Sequence, residues 1–160
     1  MTNTEYFVGI GYDCHKLVKG KKLYLAGVEI DFDRRLKGHS DADVVLHSIC
    51  DALLSAIGEK DIGEIFPDTE KKYKNISSKL IARKVLEKLK KKKFRIVNID
   101  VVTICDQPKI SKYKQRILNS LKEVFNTNCV NIKGKTTEGI KNFKDYIQCY
   151  SVVLVRYEDI

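Results

Sequence analysis

The sequence predicts an α/β (α+β) chain, a single mixed β-sheet with helices packed on one face. Three observations carry this. Runs rich in β-branched and aromatic residues recur at 6–12, 95–105 and 147–157. Between them lie three stretches whose apolar residues return every three or four positions, as on one face of a helix. The 160 residues suit one domain, 1–160, with a real core, and no linker, repeat or low-complexity stretch beyond one lysine run divides them.

Taken in order, Tyr6 to Tyr12 (YFVGIGY) reads as a strand whose Gly9 and Gly11 thin one face, a sign that something approaches closely there. Leu23 to Ile30 reads as a short hairpin, and Asp31 to Lys37 as a charged connection. A helix is expected over Asp41 to Ile57, with Val45, Leu46, Ile49, Leu53 and Ile57 facing a core. Ser40 and Asp43 resemble a capping box at its start, and Gly58 suits a left-handed C-cap. The segment 59–75 reads as a long polar loop. Ser77 or Ser78 caps a second helix to about Lys92, burying Ile81, Val85 and Leu89. Arg95 to Cys105 reads as a long central strand, and 106–109 as a turn because the residue before Pro108 disfavours helix. A third helix, about 111–125, buries Ile117, Leu121 and Val124. A short strand at 129–133, a polar turn at 134–138 and a last strand at 147–157 complete the chain.

Composition narrows the class. Nothing near the N-terminus resembles a signal peptide, and no apolar run approaches the roughly 20 residues that span a bilayer. Five cysteines, odd in number and without a CxxC, fit reduced thiols in a cytosol. The net charge of +9 invites a nucleic-acid reading, but Lys outnumbers Arg by 24 to 6 and Trp is absent. The densest run, Lys88 to Lys93, falls at a helix end, where cations suit the dipole. An acidic, phosphorylated substrate explains the charge equally well.

Chemistry concentrates in two places. Asp13 and His15 stand two apart in an extended segment, so both face one side. Asp43, His47 and Asp51 stand four apart on the expected helix, and His39 lies just before its start, where free amides favour an anion such as phosphate. Two His and one Asp make a three-ligand zinc set that leaves the fourth position open to substrate. The hydroxyls of Thr136 and Thr137 are candidate phosphate holders, and Glu138 is a carboxylate suited to Mg²⁺ or Mn²⁺. Together these suggest a metal-assisted reaction on a phosphorylated small molecule.

The ordered set GIGYDCH, GHSDADVVLH, DALL, DIGEIFPDT, DQPK and KTTEG resembles the 2-C-methyl-D-erythritol 2,4-cyclodiphosphate synthases of the non-mevalonate isoprenoid pathway, over about residues 7–155. The resemblance implies a cytoplasmic bacterial enzyme (or a plastid one after removal of a transit peptide). It further implies a homotrimer around a central β core, with active sites between subunits. The implied reaction closes the 2-phosphate of a cytidine diphosphate substrate onto its β-phosphorus and releases CMP. Zn²⁺ would be held, one per subunit, by Asp13, His15 and His47, and Mg²⁺ or Mn²⁺ by Glu138. His39 and Ser40 match phosphate and transition-state contacts, Thr136 matches a second transition-state stabiliser, and Lys135 and Thr137 stand beside it as substrate-binding positions. Asp61, Ile62 and Gly63, with Phe66, Pro67, Asp68, Thr69 and Glu70, match the part that holds the methylerythritol. Cys105, Asp106, Gln107, Pro108, Lys109, Ile110 and Ser111 match the cytosine-holding segment of the adjacent subunit. Asp51 matches a buried acid that orients His47 or a neighbouring loop.

The chain departs from that family at Phe7, where Arg is usual, at Lys135, and over 139–146, the segment that lines the trimer's central cavity. Two rival classes stand beside the synthase reading. A metal-dependent phosphatase or nucleotidase needs a metal-activated water. A basic nucleic-acid-binding protein needs Arg- and aromatic-rich exposed strands. Neither uses the DQPK and KTTEG segments together.

Overall fold

A computed structural model describes residues 4–38 and 41–158, so His39 and Ser40 and the roles expected for them lie outside the described residues. In chain order the elements are β1 (Tyr6–Lys19), β2 (Leu23–Leu25), β3 (Val28–Ile30), β4 (Arg34–Leu36), α1 (Val44–Ala56), α2 (Ile62–Ile65), α3 (Ser78–Lys91), β5 (Phe94–Ile104), α4 (Lys114–Phe125), β6 (Val130–Lys135) and β7 (Tyr146–Tyr157). Two 3₁₀ turns, Ile110–Lys112 and Lys141–Phe143, complete them.

The sheet is mixed, in the order β4-β1-β7-β5-β6, and β2 and β3 form a separate hairpin. Only β5 and β6 run parallel, joined through α4. The last strand, β7, is inserted antiparallel between β1 and β5, and β5 lies inside the sheet between β7 and β6, as expected of a central strand.

Helix α1 lies against one face of β1 and β7. Gly9 and Gly11 are what allow it. A Cβ on Gly9 would stand 1.9 Å from the Ala52 carbonyl, and one on Gly11 would stand 1.9 Å from the Ser48 carbonyl. The close approach buries α1 almost all round, Val45, Leu46, Ile49 and Leu53 being fully enclosed. Helix α3 packs on α1 through Ile81, Val85 and Leu89, as its periodicity predicts. The lysines at its end are not merely solvated, for Glu59 pairs with Lys92 at 2.6 Å and Lys88 at 3.5 Å, tying α3 to the end of α1.

Among the described residues, no helix covers the opposite face of the sheet. Cross-strand neighbours Ile10 and Val152, and Tyr12 and Tyr150, stand exposed there, with Val8 67 % exposed. They form one apolar ribbon along β1 and β7, larger than scattered surface apolar residues produce.

Several expectations are corrected. Helix α1 is capped by Asp43, whose side chain accepts from the Val45 and Leu46 amides, so the helix begins at Val44 rather than at Asp41. Asp43 consequently is not on an exposed edge with His47. It is fully buried and also accepts the Ala26 and Gly27 amides, pinning the β2–β3 turn to the start of α1. Burial raises its carboxyl above the usual range despite those amides. The charged connection 31–37 contains β4, and the loop after α1 contains α2, capped by Asp61. In α4 it is Phe125, not Val124, that is fully buried alongside Ile117 and Leu121.

Candidate active site

Strand β1 continues past Tyr12, so Asp13 and His15 lie inside it and face the same side, as an extended segment requires. The glycine-permitted approach of α1 brings His47 to them. Asp13 Oδ2 is 3.0 Å from His15 Nε2 and 3.1 Å from His47 Nδ1. The three donor atoms lie within 4.8 Å of one another.

The proton positions decide what this arrangement can hold. His15 Nδ1 is 2.9 Å from the Lys37 carbonyl oxygen, which can only accept, so Nδ1 carries the hydrogen. In the neutral ring Nε2 is therefore bare, and it is buried without a hydrogen-bond partner. A bare nitrogen facing a carboxylate oxygen needs a cation between them, either a proton or a metal. The donor set, two imidazole nitrogens and one carboxylate oxygen, suits a divalent transition cation with an open coordination position. Burial would raise the Asp13 carboxyl, but hydrogen bonds and charge from His15 and His47 outweigh it and hold the group well below the usual range. Burial disfavours charge on His15, yet the hydrogen bond and charge of Asp13 prevail and raise its pKa.

A cavity of about 410 Å³ opens over this trio. Its walls include Ile62, Gly63, Phe66, Pro67, Asp68 and Thr69, all expected from the sequence to hold substrate. Asp51 accepts the Ile62 amide at 2.8 Å, a contact with the loop that forms the wall. Burial raises its carboxyl, which the Ile62 amide partly offsets. Asp61 is not in this cavity. It caps α2 through the Glu64 amide at 2.8 Å and shares a neighbouring cleft with Asp51. Glu70 also stands apart, paired with Lys72 at 2.8 Å.

Three wall residues escaped the sequence reading. Ile81 read only as core, while Tyr73 and Ile76 sit in a segment without periodicity. Tyr73 meets Phe66 edge-on at 5.4 Å, a contact that no spacing rule foretells.

A second cavity, about 310 Å³, lies at the β6 edge of the sheet. Cys105, Lys109, Ile110, Ser111, Lys135 and Thr136 line it as expected, together with Lys114, Ile132, Lys133 and Gly134. Gln107 is exposed, and Pro108 accepts the Cys105 thiol at 3.4 Å through its carbonyl. Asp106 welds the two loops of this cavity. Its carboxylate accepts the Thr137 amide at 2.9 Å and the Thr137 hydroxyl at 2.9 and 3.0 Å. The amide and then the hydroxyl lower the Asp106 pKa. The Thr137 hydroxyl is thus engaged internally, while the Thr136 hydroxyl donates to Glu138 at the strand end. Glu138 does not join the Asp13, His15 and His47 trio.

The two cavities share no lining residue. Asp13 pairs with Cys149, Cys149 with Thr103, and Thr103 with Gly134, so three strand spacings separate the metal-competent strand from the KTTE strand. At about 4.8 Å each this is roughly 14 Å.

The sequence profile of the YgbB family matches residues 6–156. The chain belongs to the YgbB family. It is 48 % identical over 152 residues to a 2-C-methyl-D-erythritol 2,4-cyclodiphosphate synthase of Caldicellulosiruptor bescii, covering 92 % of this chain and 97 % of that one. An Aquifex aeolicus protein of the same name is 45 % identical over 154 residues, covering 95 % and 99 %. The solved CDP complex of Plasmodium falciparum IspF superposes with a TM-score of 0.82 at 33 % identity, over 96 % of this chain and 97 % of that one. The mixed sheet with helices matches that family, and parts of the motifs that carry the resemblance line the two cavities described.

Proposed function

We propose that the chain converts 4-diphosphocytidyl-2-C-methyl-D-erythritol 2-phosphate into 2-C-methyl-D-erythritol 2,4-cyclodiphosphate and CMP, as a phosphorus–oxygen lyase. The observation that carries this is the convergence of Asp13, His15 and His47 on one wall of a cavity whose other walls are the DIG and FPDT segments. A 2-phosphate oxygen forms a bond to the β-phosphorus, the bridging bond to the α-phosphate breaks, and CMP carries away the electron pair. The nucleophile is already an anion, so no strong base is required, and alignment with charge neutralisation supplies the rate. When bound, Zn²⁺ at the trio and Mg²⁺ or Mn²⁺ at Glu138 supply that neutralisation and polarise the phosphates.

The chain's own residues do the aligning. Ile62, Gly63 and the Phe66–Glu70 stretch hold the methylerythritol, Asp51 and Asp61 fixing the loop from beneath. The Cys105–Ser111 segment holds the cytosine, and the Asp106–Thr137 contacts keep it in register with Lys135, Thr136 and Glu138. His39, Ser40 and Thr136 contact the phosphates, His39 and Thr136 stabilising the transition state.

The working form is a homotrimer with active sites between subunits. Two features support it. The helix-free face of the sheet leaves Val8, Ile10, Tyr12, Tyr150 and Val152 exposed, an apolar area that a trimer would bury. The metal cavity and the nucleotide cavity are separate within one chain, so a substrate using both is best served by one cavity from each of two neighbours. The chain acts as a single domain in a bacterial cytoplasm, without nucleic acid or membrane as a partner. Among the described residues no helix is long and apolar enough to cross a membrane.

The test is ³¹P NMR of the purified protein turning over the cytidyl substrate with Zn²⁺ and Mg²⁺. The expected product is the cyclic diphosphate with stoichiometric CMP. Linear phosphate would move the assignment to hydrolysis, and no turnover with strong salt-dependent retention on heparin would move it to nucleic-acid binding.

A further inference from the structure

We propose that Ser78 and Asp41 are positioning residues that lock His47 in its Nε2–H tautomer and so keep its Nδ1 lone pair aimed at the metal. The proposal rests on the metal reading of the Asp13, His15 and His47 trio.

The argument is one of counting protons. Ser78 Oγ is fully buried and makes two hydrogen bonds, one with an Asp41 carboxylate oxygen and one, at 2.8 Å, with His47 Nε2. The ionised carboxylate can only accept, so the single hydroxyl proton of Ser78 goes to Asp41. What Ser78 then offers His47 is a lone pair, and Nε2 must bring the hydrogen. Nδ1 is left bare, 3.1 Å from Asp13 Oδ2.

The lock has an opponent. The Asp13 carboxylate lies beside Nδ1 and would draw the imidazole proton onto that nitrogen, where it would block the lone pair a metal needs. Without the Ser78 acceptor on the far side, the tautomer carrying hydrogen on Nδ1 gains a charge-assisted bond to Asp13. Ser78 holds the proton on the other nitrogen, as the Lys37 carbonyl does on His15 through the opposite pair of atoms. Both rings thereby present bare nitrogens to one carboxylate oxygen.

Neither residue is needed for the nearest ordinary task. Helix α3 already has a cap in Ser77, whose hydroxyl oxygen accepts the Leu80 amide. Helix α1 has its cap in Asp43. Asp41 reaches away from α1 to the start of α3, accepting the Ser78 amide at 3.1 Å as well as its hydroxyl. The amide contact holds the carboxylate beside the Ser78 hydroxyl.

The experiment compares wild type, Ser78→Ala and Asp41→Ala. Zn²⁺ affinity is read by competition with a chromophoric chelator. The His47 tautomer is read in the metal-free protein by long-range ¹⁵N–¹H NMR. Thermal unfolding of the metal-free forms is measured beside them. Ser78→Ala is expected to bind Zn²⁺ about 10- to 100-fold more weakly and to move the His47 hydrogen from Nε2 to Nδ1. Asp41→Ala, which frees the Ser78 proton for donation to Nε2, is expected to do the same. A lowered unfolding temperature with zinc affinity within twofold of wild type and an unmoved tautomer would show that Asp41 and Ser78 merely staple α3, and would overturn the proposal. If wild type itself bound no zinc, the metal reading would fall and the positioning role with it, whereas the tautomer measurement would still separate that failure from the absence of a lock.

Discussion

Replacing Gly11 by Ala perturbs the joint on which the site depends. A Cβ there would stand 1.9 Å from the Ser48 carbonyl oxygen and 2.6 Å from the Ala52 amide nitrogen, both backbone atoms of α1 that no rotamer change can move. An ordinary contact begins near 3.4 Å, so α1 must retreat from β1 by about 1.5 Å at this point. Overpacking of this kind costs about 1–3 kcal/mol, and the stiffer unfolded chain returns roughly 0.5–1 kcal/mol. A net loss of about 1.3 kcal/mol lowers the unfolding temperature of a chain of this size by roughly 3–5 °C. The functional consequence is larger. Gly11 is two residues from Asp13 and Ser48 is next to His47, so the retreat separates His47 from the other two ligands. Metal–ligand distances tolerate only about 0.2 Å. We expect Zn²⁺ affinity to fall about 100-fold or more while circular dichroism shows the fold retained. Calorimetry or dichroism gives the unfolding temperature, and chelator competition gives the affinity. A variant that unfolds within about 2 °C of wild type and binds Zn²⁺ equally well would refute the claim that this glycine sets the distance between strand and helix.

Three further outcomes are expected. Because Asp13 raises the His15 pKa, a proton competes with the metal from above the ordinary histidine range, near 6.5; apparent Zn²⁺ affinity should therefore fall as pH falls through the raised value, and an affinity flat from pH 8 to 6 would contradict it. Asp106→Ala should release the Thr137 turn and lower turnover about 10- to 100-fold with Zn²⁺ affinity unchanged, and equal loss of both would place Asp106 in the metal site instead. Ile10→Asp, on the helix-free face of the sheet, should give a monomer in sedimentation equilibrium with zinc still bound and turnover lost, whereas a stable trimer would remove that face from the interface.

Much of this was legible from residue spacing. Period-two and period-four patterns report which face of an element is apolar, and they located β1, α1, α3, β5 and β7. The Asp13 and His15 pair followed from extended geometry, and the alternate glycines announced a close neighbour without naming α1. What spacing cannot carry is partnership across the chain. Asp43 looked like an edge residue because its acceptors, the Ala26 and Gly27 amides, arrive from a hairpin 16 or 17 positions earlier. Ser78 reads as a helix start, and only the folded chain sets it against His47. Tyr73 joins the cavity through one edge-on aromatic contact from an aperiodic segment. That β7 inserts between β1 and β5 was not legible either, since strand order is a property of pairing and not of any one run. Family motifs supplied the proposals that geometry does not encode, namely the substrate and a second metal position at Glu138.

The most direct test of the account measures zinc content and CMP release together, in wild type and in His47→Ala. The account predicts about one Zn²⁺ per chain and cyclic diphosphate from wild type, with both lost in a folded variant. A His47→Ala protein that kept its zinc and still closed the ring would contradict the assignment of the trio as the centre of the reaction.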